Sequence, residues 1–134
     1  MTKPKYRHMR QWETQIVDKF HQKNSLTAEY EYDIPLKIRE TPLPSYATEK
    51  ERILWNKLTS KRIDIVAKTK DKIYVIEVKD RLRPSAVGQA LTYKILYQEQ
   101  YKPTQPVIPT ILTTMSDPDM KHVCDVLKIT VWMV

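Results

Sequence analysis

Residues 62–80, RIDIVAKTKDKIYVIEVKD, restrict the fold more than any other part of the chain. Two apolar, β-branched runs flank a polar turn at 69–72, which is the pattern of a β-hairpin. Charged residues interrupt both runs: Asp64 in the first, Glu77 and Lys79 in the second. A charge in a buried strand costs several kcal/mol unless it is paired or holds a metal. A loop centred between Lys70 and Asp71, of two or four residues, sets Asp64 directly opposite Glu77, with Cβ atoms about 5 Å apart. A three-residue loop would set Asp64 against Ile76 and send the two carboxylates to opposite faces. Strand alternation groups Ile73, Val75, Glu77 and Lys79 on one face, and turns Asp64 away from Ile63 and Ile65.

Two carboxylates so close repel each other unless a cation lies between them. Lys79 supplies one positive charge and a divalent ion would supply the rest. Mg²⁺ suits such a pair, with Mn²⁺ as a substitute, because it binds one or two carboxylates and leaves places for phosphate oxygens. Beside a lysine, water polarised by such an ion becomes a nucleophile for phosphodiester hydrolysis. Lys79 would orient or deprotonate that water, or stabilise charge developing on the phosphate. The alternative is a structural ion cluster. Asp119-Met120-Lys121 has the same acid-x-lysine spacing at an expected helix start, so the tripeptide says little until it lies in a strand opposite a second acid.

The charge of the whole chain favours an anionic partner. It carries 23 Lys and Arg against 16 Asp and Glu, a net charge of +7, which suits nucleic acid. Cys124 is the only cysteine, so one chain can form neither an internal disulfide nor a cysteine-rich metal centre. No apolar run approaches the roughly 20 residues of a membrane helix, and no signal-peptide h-region follows the basic start. The expectation is one soluble, intracellular (cytoplasmic) domain over 1–134, with DNA and no membrane as partner. Gly88 is the only glycine against nine prolines, so the loops should be stiff.

Periodicity fills in the other elements. Residues 8–22 read as a helix with Met9, Trp12, Ile16, Val17 and Phe20 on one arc, and Glu13 within that arc. Glu13 either snorkels to water at the edge of the face or points inward to a site. A strand over 28–38 sets Tyr30, Tyr32, Ile34 and Leu36 on one face, and Pro35 demotes it to an edge. The insert at 39–60 is proline-stiffened and holds a capping box, Thr48 and Glu51, before a short helix bearing Ile53, Leu54, Trp55 and Leu58. A helix opens at Pro84–Ser85 and runs to about residue 100. A β segment over 106–114, a short helix capped by Ser116 with Pro118 in its first turn, and a final strand in KITVWMV complete the order. This order predicts an α/β fold, a mixed β-sheet flanked by helices.

At this point the chain resembles the PD-(D/E)XK nuclease superfamily. Asp64 in RID matches the first acidic position, and Glu77-Val78-Lys79 matches the second motif; Ile63 stands where proline is usual. The resemblance implies a restriction-endonuclease-like αβββαβ core, with an extra short helix and a C-terminal strand here. It implies Asp64, Glu77 and the Val78 carbonyl as metal ligands and Lys79 as the catalytic lysine. Gln89 and Tyr93, four apart on one helical face, resemble the Q-x-x-x-Y signature of RecB-like members, whose side chains line the site. Many members also carry a first-helix glutamate, which makes Glu13 a site residue and a further metal ligand. The resemblance covers roughly residues 8–114.

Other residues carry weaker expectations. Arg81 and Arg83 follow the second strand and suit phosphate contacts. Tyr97 and Tyr101 are placed to stack on bases or to pack in the core. His8, His21 and His122 lack ligand spacing, although a first-helix histidine serves some RecB-like members. Gly88 in mid-helix costs about 1 kcal/mol against alanine, which suggests close packing on the strands or on DNA. The expected activity is a Mg²⁺-dependent DNA endonuclease, resembling small Holliday-junction resolvases in size and acting as a homodimer. A RecB-like exonuclease and a non-catalytic nucleic-acid-binding module of the same fold are the alternatives.

Overall fold

In the computed structural model, which describes residues 9–24, 26–37, 39 and 42–134, the 62–80 stretch forms the expected hairpin. The elements follow one another as α1 (Gln11–Lys23), β1 (Glu29–Leu36), α2 (Glu49–Thr59), β2 (Lys61–Lys68), β3 (Ile73–Val78), α3 (Pro84–Tyr101), β4 (Val107–Thr113), α4 (Pro118–Val126) and β5 (Thr130–Met133). All five strands form one mixed sheet in the order β1-β2-β3-β4-β5. The β1–β2 and β2–β3 pairs are antiparallel, whereas β3–β4 and β4–β5 are parallel. The long α3 crossover is what allows β3 and β4 to run parallel. This is the α/β, helix-flanked mixed sheet expected from the sequence.

Alternate strand residues feed the two faces. Ile76 and Val78 of β3 pack with Ile16, Val17 and Phe20 of α1. Val75 and Ile73 pack on the other side with Tyr97 of α3, while Ile111 meets Ala86, Val87 and Ala90 near Cys124 of α4. The hairpin loop is tied by Thr69, whose N–H donates to the Lys72 carbonyl at 2.8 Å and whose hydroxyl accepts from the N–H groups of Asp71 and Lys72. Four loop residues give the pairings Lys68 with Ile73 and Ile65 with Ile76, the register that points Asp64 at Glu77.

The alternation expected of β1 and β2 breaks at one place. Tyr32 pairs with Ile65 and Ile34 with Ile63, so the ladder passes over Asp33 and Asp64. Asp33 has φ 57°, a left-handed conformation that aspartate tolerates better than most residues. Its reversal of the pleat sends Tyr30 and Tyr32 toward α1 but Ile34 and Leu36 toward α3. Ile63 and Ile65, expected on one face, likewise separate onto the two sides.

Two further expectations, on the α4 cap and on Gly88, are corrected. The cap of α4 is Asp117 and not Ser116; its carboxylate accepts from the N–H groups of Asp119 and Met120. The α2 capping box forms as read, but the helix buries nothing, and Ile53, Leu54 and Leu58 are 62%, 56% and 67% exposed. Gly88 does not pack closely on the strands, since a Cβ built there meets nothing within 4 Å among the described residues. Gly88→Ala should therefore stabilise α3 by about 0.5–1 kcal/mol, the usual helical penalty of glycine. Thermal melting checks this, and a lower melting temperature would show a steric need that the fold does not display.

Candidate metal-dependent active site

Asp64 and Glu77 are almost fully buried, at 7% and 6% exposure. Backbone pairing of β2 with β3 ends at Ile65–Ile76, and the next N–H on that side of β3 is taken by a side chain. Val78 N–H donates to Asp64 Oδ2 at 2.9 Å. Because N–H and C=O of one strand residue point the same way, the Val78 carbonyl also faces Asp64. Lys79 continues the strand line, its N–H donating to Leu112 O at 2.9 Å, and its Nζ stands 3.7 Å from Glu77 Oε1. Glu77 Oε2 is buried with no hydrogen-bond partner among the described residues.

Burial pushes the Glu77 carboxyl up to about 9, and the Asp64 charge adds to the rise. Lys79 pulls it back, while a hydrogen bond to Asp64 and the charge of Glu13 push further upward. At neutral pH, with no metal bound, Glu77 therefore keeps its proton. Tyr93, from α3, lies near the same charges: burial first, then Glu77 and Asp64, raise its phenol to about 12. Gln89, one turn before Tyr93, has a buried Oε1 without a partner. The expected group of Asp64, Glu77, Lys79 and Tyr93 is thus gathered at one place, with Gln89 on the helix beside it.

Glu13 is a partial exception. Its Oε1 accepts from Arg10 N–H at 3.3 Å, an N-terminal cap of α1. It lines a cleft of about 310 Å³ together with Arg10, Trp12, Lys79 and Arg83. The three-carboxylate cluster implied by the resemblance does not assemble: no group of three or more His, Cys, Asp or Glu among the described residues is placed to hold a metal. Glu13 spends part of its carboxylate on its own cap, while its charge still reaches Glu77 from the cleft wall beside Lys79.

Arg83 lines the cleft and is ion-paired to Asp80, and it lines a second hollow together with Arg81, Met115 and Asp117. Arg10 and Trp12 were not singled out in the sequence as cleft residues; Trp12 read only as part of an apolar arc, and nothing in the sequence marks Arg10. His21 is occupied by Tyr32, whose hydroxyl is 2.7 Å from Nε2, and Phe20 and Tyr30 pack around its ring. His8 lies outside the described residues, and His122 is exposed on α4. Tyr97 is buried in the core, and Tyr101 donates to Pro35 O at 2.9 Å.

The sequence matches no protein-family model and no curated protein. A solved structure similar to it is the crystal structure of a protein of unknown function, AF1548, at a TM-score of 0.45 and 15% identity. The match covers 88% of this chain and 52% of that one, so this chain spans about half the length of that protein.

The raised Glu77 carboxyl makes the metal-free fold sensitive to pH. The unfolded chain loses this proton near 4.5 while the folded chain keeps it until about 9, so folded stability falls as pH rises between those values. Melting in EDTA should show this decline, bounded by about 1.4 kcal/mol per pH unit, and Glu77→Gln should flatten it. An unchanged slope in Glu77→Gln would show that Glu77 is not the group responsible.

Proposed function

We propose that the protein is a Mg²⁺-dependent DNA endonuclease. The observation that carries this reading is the pair of buried carboxylates, Asp64 and Glu77, abutting each other with Lys79 Nζ 3.7 Å from one of them. A pair so placed is destabilising unless it serves a cation, and the unpartnered Glu77 Oε2 fits such an ion. Asp64, Glu77 and the Val78 carbonyl would hold Mg²⁺, an all-oxygen set of the kind this ion prefers. When bound, Mg²⁺ supplies positive charge at the phosphate and makes water more acidic.

The chain's own groups do the rest. Lys79 Nζ stabilises negative charge developing on the phosphate. Arg10 and Arg83, on the cleft wall, bind the flanking phosphates and set the strand in register. Tyr93 and Gln89 form the α3 side of the site. The exposed apolar side chains of α2 support a homodimer, which would present two sites to the two strands of a branched DNA. The net charge of +7 supports recognition by backbone charge and shape. Gln89 beside the acid pair keeps a RecB-like exonuclease as the second reading.

Asp64→Ala and Glu77→Ala are expected to abolish Mg²⁺-dependent cleavage while circular dichroism stays native. Lys79→Ala should bind DNA as wild type does and lose turnover, because its role lies in the transition state. A panel of supercoiled, linear, single-stranded and four-way-junction DNA, with an RNA control, reads both. Wild-type cleavage by either carboxylate variant would overturn the assignment. Processive degradation of linear ends by a monomer would favour the exonuclease.

A further inference from the structure

Among the described residues, the sheet is guarded at one edge and left open at the other. Its β1 edge is guarded: Pro35 offers no N–H, Asp33 breaks the pleat, and Glu29 and Glu31 add charge. The Pro35 carbonyl is already taken by the Tyr101 hydroxyl. The β5 edge, Thr-Val-Trp-Met, has no proline, glycine, charge or bulge. Val134 N–H turns inward to Thr113 O at 3.1 Å, and strand alternation turns Thr130 and Trp132 the same way. The N–H and C=O groups of Val131 and Met133 therefore point away from β4, and no backbone group among the described residues takes them.

Open clefts flank this edge. One, of about 540 Å³, has Tyr74, Ile108 and Trp132 as its apolar wall and Lys72, Lys121 and Lys128 along its rim. The other, of about 380 Å³, is lined by the stacked rings of Phe20 and Trp132 and by Met133, with Lys23 beside it. Lys121 is paired to Asp125, but Lys23, Lys72 and Lys128 have no carboxylate partner among the described residues. A second copy pairing β5 to β5 about a two-fold axis would bring these lysines beside their own duplicates. The charge that repels a second copy attracts an acidic strand.

We propose that the β5 edge is a docking site for an extended segment of a partner protein in which apolar and acidic residues alternate. The segment adds a sixth strand through the main-chain groups of Val131 and Met133. Its apolar side chains enter the clefts beside Trp132, and its carboxylates meet the lysines. This surface is independent of the proposed nuclease centre.

The test uses the whole chain and a capped synthetic peptide of alternating valine and glutamate, with a valine–lysine peptide as control. Amide spectra should shift at Val131 and Met133 on adding the acidic peptide, and hydrogen exchange of those two amides should slow. Met133→Pro removes an outward donor and no internal bond, so melting should hold while peptide affinity falls at least tenfold. Should that variant fail to fold, Lys72→Glu with Lys128→Glu carries the same test, with an equal loss expected. Peptide binding that ignores these variants, or equal binding of the valine–lysine control, would overturn the proposal. So would an oligonucleotide that shifts the same amides in place of the peptide, or shifts that depend on protein concentration alone, which would mark a second copy at the edge.

Discussion

The fold turns on the hydrogen bond from Val78 N–H to Asp64 Oδ2, the point at which β2 stops pairing with β3 through its backbone. A hydrogen bond to a charged acceptor contributes roughly 1.5–3 kcal/mol, which helps a carboxylate tolerate burial. It also fixes that carboxylate against Glu77, whose own burial is compensated less fully. The result is a site built from mutual repulsion: an acid pushed up to about 9, a lysine 3.7 Å away that offsets part of it, and an oxygen with no partner. Groups arranged against their own stability in this manner are a common mark of function, since structural selection alone would remove them.

The break at Asp33 and Asp64 is what makes that bond available. With a regular ladder through position 64, the Asp64 backbone would continue the pairing of its neighbours on both sides. Instead the left-handed Asp33 reverses the pleat, Ile63 and Ile65 part to opposite faces, and the Asp64 carboxylate takes the N–H of Val78. Asp33 itself is held by Arg62 at 3.2 Å. A surface ion pair and one unusual φ angle thus sit directly behind the candidate centre.

Much of this was legible in the sequence because it rests on local rules. Loop length set the hairpin register, and period 2 set Glu77 on the face that looks toward α3. The Thr48–Glu51 capping box and the spacing of Gln89 and Tyr93 follow from helical geometry. What escaped depends on tertiary context. Nothing in RIDIVAK signals a pleat reversal, because the cause lies in another strand. Trp12 reads as a core residue by its arc, and only the approach of α1 to the end of β3 makes it a cleft wall. Gly88 invited an explanation by packing on the strands, which the open space around it does not support. Glu13 stands on the cleft wall and also caps its own helix, a second use of the carboxylate that the apolar arc does not announce.

The central claim is that a divalent cation belongs between Asp64 and Glu77. The most direct measurement is an anomalous-difference map from crystals grown with Mn²⁺. The account predicts a single strong peak within coordination distance of the Asp64 and Glu77 carboxylates and of the Val78 carbonyl. A well-ordered map with no peak there, or with Lys79 Nζ seated in that position, would contradict it.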